Sequence, residues 1–130
     1  MDGRISNGPI LVIDDDKDYR ILVRHGLERA GYQVLESADG RSACTLLCEQ
    51  CVPLVILDIV MPDVEGLEMI GRLRRQGCRA KILAVSGVGK ADEYLKLAVR
   101  LGADAGFEKS RSVSDLLVAV RELIGRSIAV

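Results

Sequence analysis

The sequence predicts an α/β fold, a doubly wound (βα)5 three-layer sandwich built around a five-stranded parallel sheet. Short apolar stretches alternate five times with segments whose apolar residues recur at helical spacing. The first, third and fourth stretches lack polar alternation, as expected of parallel strands that helices cover on both faces. The 130 residues, 48% of them hydrophobic and 28% charged, suit one domain with a single core.

The first two strand–helix units follow directly from this pattern. Residues 9–13 (PILVI) predict the first strand, and the helix after it ends at Gly31, which suits the left-handed turn that closes many helices. Residues 32–37 (YQVLES) predict the second strand, and Asp39 can cap the next helix. The predicted inward faces consist of Tyr19, Leu22, Val23, Gly26, Leu27 and Ala30 in the first helix and Ala43, Leu46 and Leu47 in the second.

Three further units complete the predicted fold. Residues 54–58, 81–86 and 105–109 predict strands, of which the last is the weakest. The third and fourth helices each end at a glycine, and Ser112 can cap the fifth. The predicted inward residues are Leu67, Ile70 and Leu73 in the third helix, Tyr94, Leu97, Ala98 and Leu101 in the fourth, and Val113, Leu116, Leu117, Val120 and Ile124 in the fifth.

These units form one expected domain over residues 9–125, between a flexible N-terminal lead (1–8) and a C-terminal tail (126–130). The lead lacks the apolar core of a signal peptide, and no apolar run approaches the ~20 residues that span a bilayer. We therefore expect a cytoplasmic protein without a membrane partner. A net charge of −1 and 3% aromatic residues favour no direct binding of nucleic acid.

The four cysteines are expected to be reduced thiols of an intracellular protein. Cys48 and Cys51 have the C-x-x-C spacing of some metal sites, but no second pair accompanies them and His25 is the only histidine. We therefore interpret Cys44, Cys48 and Cys51 as thiols on or beside the second helix, with Cys48 on its outer side.

Polar side chains collect where the predicted strands end, and ligands of doubly wound sheets bind beyond those ends. Three carboxylates from two neighbouring strands would repel one another unless a divalent cation lies between them, and all-oxygen ligands favour Mg²⁺. Asp58 would then be the nucleophile that forms an acyl phosphate, while Ser86 and Lys109 bind the other phosphoryl oxygens. The strand-end residues are Asp14, Asp15 and Asp16 after the first strand, Asp58 in the third, Ser86 and Gly87 in the fourth, and Lys109 in the fifth.

Other interpretations of these residues remain open at this point. An aspartate after a strand is often a turn residue or a helix cap, which is our interpretation of Asp16, Asp18 and Asp63. A flavin-type cofactor binder would need a hydroxyl- and glycine-rich loop where this chain has DDDKD, and a dinucleotide binder would need a third glycine in GVGKAD. A phosphatase with an aspartyl nucleophile would need an acid in place of Val60. The coincidence of all the polar groups on one sheet edge favours phosphoryl transfer.

From about Pro9 to about Ile124 the sequence resembles the receiver domain of two-component response regulators. The resemblance is carried by ILVIDDD, by VILDIVMPDVEGLEMI with its D-x-x-M-P-x-x-x-G pattern, by ILAVSG and by GADAGFEK. It implies a flavodoxin-like fold with the strand order 2-1-3-4-5. It also implies a signalling module that at most phosphorylates and slowly dephosphorylates itself, and not a turnover enzyme.

The resemblance further implies a role for each site residue. Asp58 would take a phosphoryl group from a histidine kinase or a histidine phosphotransfer protein, and Ser86 would move onto that group. The surface formed by the fourth helix, fifth strand and fifth helix, about residues 90–124, would then bind a downstream protein partner differently, and it could form a homodimer. The Mg²⁺ ligands would be Asp14, Asp15, Asp58 and the backbone carbonyl of Val60, and the phosphate-binding residues Asp58, Ile59, Ser86, Gly87 and Lys109.

Two positions depart from the family pattern. The family's Lys-Pro is Lys109-Ser110 here, and a cis bond before a non-proline residue costs about 3 kcal/mol, so we expect a trans bond and a rearranged loop. Gly106 replaces the aromatic switch residue, and the adjacent Phe107 should point to the opposite face of the sheet. The candidate switch residues are therefore Ser86, Gly106 and Phe107.

These departures affect how a signal would leave the domain. Signalling could run through the fourth helix and its preceding loop, with Tyr94 and Leu95 as exposed contacts. The alternative function is that of a degenerate receiver, which binds its partner without being phosphorylated.

Overall fold

The computed structural model describes residues 8–60, 66–87 and 91–125, and its elements follow the predicted alternation. The strands are β1 (Ile10–Ile13), β2 (Val34–Ser37), β3 (Leu54–Asp58), β4 (Lys81–Ser86) and β5 (Ala105–Glu108). The helices are α1 (Lys17–Arg29), α2 (Gly40–Glu49), α3 (Gly66–Arg75), α4 (Ala91–Leu101) and α5 (Val113–Ile124). All strand pairs are parallel and the order is β2-β1-β3-β4-β5, so the predicted fold class is confirmed.

Helices cover both faces of the sheet, because successive strand residues point to opposite faces. Leu11 and Val55 belong to the apolar cluster between the sheet and helices α2, α3 and α4. Val12 and Ile56 belong to the cluster between the sheet and helices α1 and α5. Strands β1 and β3 are buried along their whole length, as their unbroken apolar stretches predict.

Capping side chains fix where three of the helices begin. The Asp16 carboxylate accepts hydrogen bonds from the N–H groups of Asp18 at 3.0 Å and Tyr19 at 3.2 Å at the start of α1. Asp39 and Ser112 cap α2 and α5 in the same way. Each cap binds N–H groups that the first helical turn leaves without partners. The predicted capping roles of these three residues are therefore confirmed.

Helix α4 turns a different face to the core from the one the sequence predicts. Leu95 and Ala98 are buried, whereas Tyr94, Leu97 and Leu101 are 40%, 43% and 41% exposed. The helix is apolar around much of its circumference, so residue spacing alone does not identify its buried stripe.

Leu95 is buried because β5 presents no side chain opposite it. A Cβ atom at Gly106 would lie 2.9 Å from the Cβ of Leu95 and 3.3 Å from its Cδ2, so the leucine occupies the space that a side chain would need. Tyr94 and Leu95 were both predicted to be exposed, which is correct for Tyr94 and wrong for Leu95.

The exposure of residues in α1 and α2 can also be compared with the prediction. Leu22 and Ala30 are exposed, because the stripe that α1 buries is narrower than predicted and centres on Val23 and Leu27. Cys48 is exposed, as expected of the outer side of α2. No helix in the described part of the chain combines the length and apolar character needed to cross a bilayer.

The start of α3 lies directly against the end of β3. A Cβ atom at Gly66 would lie 2.3 Å from the Cα of Ile59 and 2.5 Å from the carbonyl oxygen of Asp58. These neighbours are backbone atoms, which cannot move aside as a side chain does, so the approach requires glycine. The last residue of the D-x-x-M-P-x-x-x-G pattern thereby seats α3 beside Asp58.

Candidate functional site

The polar strand-end residues meet at the carboxyl edge of the sheet. Asp14 follows β1, Asp58 ends β3, Ser86 ends β4 and Lys109 follows β5. Asp14, Asp58 and Ser86 have only 2%, 4% and 0% of their surfaces exposed, whereas Asp15 is exposed. Because β1, β3, β4 and β5 are consecutive neighbours in the sheet, their ends form a single site.

Backbone hydrogen bonds orient the two buried carboxylates. Asp14 Oδ1 accepts from the N–H of Asp16 at 2.8 Å, and Asp58 Oδ1 accepts from the N–H of Val60 at 2.9 Å. Arg20 donates to the carbonyl oxygen of Asp14 at 2.6 Å and so holds the end of β1. Each carboxylate keeps its second oxygen, Oδ2, for a cationic partner.

Lys109 provides that cation. Its Nζ lies 2.8 Å from Asp14 Oδ2 and 3.4 Å from Asp58 Oδ2, and 4.7 Å from the centre of the Tyr19 ring. A Cβ atom at Gly87 would lie 3.1 Å from Lys109 Cδ, so the glycine leaves room for the lysine stem. The lysine side chain is 19% exposed, and the ion pairs are therefore screened less than surface pairs.

Burial and neighbouring charges together set the protonation of Asp58. Burial raises the pKa of Asp58 to about 7; the Val60 N–H bond and the Lys109 ammonium lower that pKa, and the Asp14 charge raises it. Burial by itself would lower the pKa of Lys109, but Asp14 and Asp58 outweigh it and raise that pKa above its ordinary value. The lysine is thus charged at neutral pH, and Asp58 releases its proton there most readily when a further cation is near.

Three carboxylates are close enough to share a metal ion. Oxygen atoms of Asp14, Asp15 and Asp58 lie within 4.8 Å of one another. Hard oxygen donors of this kind suit Mg²⁺ better than zinc or copper. The residues therefore fit the cation site predicted from the sequence, while the carbonyl of Val60 stays a prediction. A bound cation would compete with Lys109 for Asp14 and Asp58.

Ser86 and Ile59 differ in what they can offer to an anion. The Ser86 hydroxyl is fully buried and has no hydrogen-bond partner among the described residues, an unfavourable state that an acceptor oxygen would relieve. The N–H of Ile59 donates to the carbonyl oxygen of Val85 at 3.0 Å, and its side chain is buried and apolar. This N–H already joins the ends of β3 and β4, and the binding of phosphate by Ile59 stays a prediction. The next amide, that of Val60, faces Asp58 instead.

The candidate switch residues of β5 point in opposite directions. Phe107 is 1% exposed and packs in the cluster beneath α1 and α5, whereas Gly106 faces α4. The expected orientation of Phe107 is thus confirmed.

The described residues contain no cis peptide bond, so Lys109–Ser110 is trans as expected. Asp63 and the loop residues 88–90 lie outside the described residues.

The sequence alone does not single out two residues that support the site. It places Tyr19 on the core face of the first helix and gives Arg20 no role, yet Tyr19 contacts Lys109 and Arg20 holds Asp14. The available signal is position, since both residues lie in the first turn of the helix that follows the acidic strand end.

Comparisons with known proteins agree with this geometry. Residues 10–121 match the family model described as the response regulator receiver domain. The chain is 33% identical over 122 residues to the alkaline phosphatase synthesis transcriptional regulatory protein PhoP of Bacillus subtilis (strain 168), covering 93% of this chain and 50% of PhoP. It is 34% identical over 120 residues to the DNA-binding dual master transcriptional regulator RpaA of Synechocystis sp. (strain ATCC 27184 / PCC 6803 / Kazusa), covering 91% and 49%. The chain spans about half the length of these relatives.

Two solved receiver domains match this chain over nearly their full length. The Francisella response regulator 1452 receiver domain superposes with a TM-score of 0.84 at 25% identity, covering 93% of this chain and 99% of that one. The receiver domain of NtrX from Brucella abortus superposes with a TM-score of 0.84 at 28% identity, covering 88% and 97%. The likeness therefore extends to helices and sheet alike.

Proposed function

The chain belongs to the response regulator receiver family, and on that premise we propose that Asp58 is the phosphoacceptor of a two-component signalling module. The observation that carries the proposal is the meeting of Asp14, Asp58 and Lys109 at one sheet edge, with carboxylate oxygens close enough to share a cation. The phosphoryl donor would be a histidine kinase or a histidine phosphotransfer protein. The module would act as a switch, at most phosphorylating and slowly dephosphorylating itself.

Transfer forms a bond between a carboxylate oxygen of Asp58 and phosphorus, while the bond between phosphorus and the donor's histidine nitrogen breaks. Mg²⁺ held by Asp14, Asp15 and Asp58 would supply charge neutralisation for the phosphoryl oxygens. Lys109 would bind another of these oxygens, since its Nζ lies 3.4 Å from Asp58 Oδ2. Because burial raises the pKa of Asp58 to about 7, a neighbouring cation favours the nucleophilic carboxylate form.

Ser86 and two backbone amides would complete the anion site. The buried Ser86 hydroxyl, without a partner among the described residues, can donate to a phosphoryl oxygen. We propose the amide of Val60, whose N–H donates to Asp58, as one of these donors, since the N–H of Ile59 is bonded to the carbonyl of Val85, and the amide of Gly87 as the other. Movement of Ser86 onto the phosphoryl group would pass the change to the loop before α4.

The output surface would be the face formed by α4, β5 and α5, where Tyr94, Leu97 and Gly106 are exposed. A downstream protein, or a second copy of this chain, would bind it with an affinity that depends on phosphorylation. PhoP and RpaA are named as transcriptional regulators. We infer that the signal reaches such an output through another domain or protein, with no direct nucleic-acid contact by the described residues, in the cytoplasm.

Incubation with Mg²⁺ and acetyl phosphate, followed by intact-mass measurement, tests the proposal. We expect a phosphoryl adduct on the wild type, none on Asp58→Asn, and a normal adduct on Asp18→Asn, which removes an exposed carboxylate outside the site. Beryllofluoride with Mg²⁺ should shift the amide NMR signals near Asp58, Ser86 and Lys109. A wild type with neither adduct nor shifts would contradict the proposal and favour the degenerate receiver.

A further inference from the structure

The Lys109 ammonium has neighbours of two kinds, charged and neutral. Its Nζ lies 2.8 Å from Asp14 Oδ2 and 3.4 Å from Asp58 Oδ2, and 4.7 Å from the centre of the Tyr19 ring. A cation this close to the face of an aromatic ring is attracted by the negative charge of the π-electron cloud. The ring therefore contributes to where the ammonium rests.

Tyr19 is held in place by contacts that do not involve Lys109. Its N–H donates to the Asp16 carboxylate at 3.2 Å in the first turn of α1. Its side chain packs against the apolar cluster between the sheet and helices α1 and α5. The ring is thus a preformed surface that loses little further freedom when the lysine lies against it.

Asp14 and Asp58 could bind a metal ion as well as Lys109, whereas the Tyr19 ring could not. Asp14 and Asp58 belong to the three residues whose oxygens could hold a cation, which would compete with Lys109 for them. The aromatic ring is not an oxygen donor and stays available to the lysine. Burial also raises the pKa of Tyr19 to about 12, so the hydroxyl remains protonated and adds no negative charge beside a phosphoryl group.

We propose that Tyr19 is a positioning residue of the phosphoacceptor site: its ring keeps the Lys109 ammonium over the site once a cation has engaged Asp14 and Asp58. The lysine is then in place to bind the incoming phosphoryl group. This inference rests on the proposed phosphoacceptor function. A partly desolvated cation–π contact corresponds to a change of about three- to tenfold in an equilibrium constant.

Beryllofluoride titrations in saturating Mg²⁺, followed by amide NMR, test the proposal. Tyr19→Phe keeps the ring and should bind like the wild type. Tyr19→Leu and Tyr19→Met keep apolar volume without a ring and should bind about three- to tenfold more weakly. Mg²⁺ affinity, measured separately, should be unchanged in all three variants. Leu22→Ala, an exposed change on the same helix, serves as the matched control.

A second readout needs no phosphoryl analogue. Protons above a ring face are shifted upfield by the ring current, so the ε-methylene signals of Lys109 should be upfield in the wild type and in Tyr19→Phe. The same signals should return to ordinary positions in Tyr19→Leu and Tyr19→Met. A merely structural role of Tyr19 would not produce this pattern.

Three results would overturn the role of Tyr19: unchanged beryllofluoride affinity in both ringless variants, an equal loss in Tyr19→Phe, or ε-methylene signals that do not depend on the ring. A wild type that binds no beryllofluoride would instead overturn the proposed function. In that case the ε-methylene signals still decide whether the ring holds the lysine.

Discussion

Asp58 combines deep burial with one close neighbour of each charge. Its surface is 4% exposed, Lys109 Nζ lies 3.4 Å away, and the Asp14 carboxylate belongs to the same cluster of oxygens. An ordinary strand-end aspartate is hydrated and ionised, whereas removal from water favours the protonated acid. We therefore expect the residue to respond both to pH near neutrality and to a cation that binds beside it.

A pH-dependent stability follows for the protein without Mg²⁺. Since the pKa of Asp58 is raised to about 7 in the folded state, the free energy of unfolding should fall as pH rises from about 4 to about 7, where the unfolded chain has already lost this proton. Asp58→Asn should remove this dependence and be more stable than the wild type at pH 8 by about 1 kcal/mol or more. Urea unfolding at pH 5 and pH 8 measures both effects.

Mg²⁺ provides the control for that experiment. At pH 8 the ion should stabilise the wild type by binding the folded state, and it should stabilise Asp58→Asn much less. An Asp58→Asn variant that is less stable than the wild type at pH 8 without Mg²⁺ would contradict the assigned effect of burial.

At the scale of elements, the fit of α4 on β5 depends on one missing side chain. Leu95 lies over Gly106, and a Cβ atom there would approach the leucine Cβ to 2.9 Å. The leucine thereby fills the space that a side chain at position 106 would need. The contact joins the helix and the strand that form most of the proposed output surface.

A double-mutant cycle measures this contact. Gly106→Ala should lower the free energy of unfolding by about 1 kcal/mol, because Leu95 must shift to admit the new methyl group. In a Leu95→Ala background the same change should be neutral or stabilising, since alanine suits a strand better than glycine. Equal costs of Gly106→Ala in both backgrounds, in urea unfolding, would show that the two residues are not coupled.

The sequence predicts which strand-end residues meet, for a physical reason. It predicts less well which face of a helix is buried. The carboxyl ends of parallel strands must meet at one edge, so Asp14, Asp58 and Lys109 are brought together by topology alone. The buried stripe of α4 depends on an absent side chain in another element, and the apolar circumference of the helix hides it. The contact of Tyr19 with Lys109 likewise joins residues from opposite ends of the chain, which local patterns do not relate.

At the scale of the whole molecule, the residues at the carboxyl ends of the strands differ in role from those at the amino ends. The carboxyl edge holds the acidic site, and the amino edge holds an arginine that ties three elements together. Arg74 donates to the carbonyl oxygens of Cys78, Ala80 and Gly102 at 2.8–2.9 Å and to the Asp104 carboxylate at 2.8 Å. Helix α3 is thereby joined to the loop before β4 and to the turn before β5.

Loss of the Arg74 hydrogen bonds should lower the stability of the fold and leave the proposed phosphorylation of Asp58 unchanged. Arg74→Ala should lower the free energy of unfolding by about 2–3 kcal/mol, because several carbonyl groups and one carboxylate lose their donor. Arg72→Ala, which removes an exposed 3.9 Å pair with Glu68, should cost less than about 0.5 kcal/mol. Both variants should accept phosphate from acetyl phosphate like the wild type well below their unfolding temperatures. Equal stability losses, or a selective loss of phosphorylation, would disprove the separation of the two edges.

Gly66 and Gly106 lie against neighbours that differ in how easily they can move. At Gly66 the backbone of α3 contacts the backbone of Asp58 and Ile59, so α3 cannot move closer to the end of β3. At Gly106 the neighbour is the side chain of Leu95, which can change its rotamer. If Asp58 is phosphorylated as proposed, we expect the resulting displacement to leave α3 in place and to reach α4 through the contact of Leu95 with Gly106.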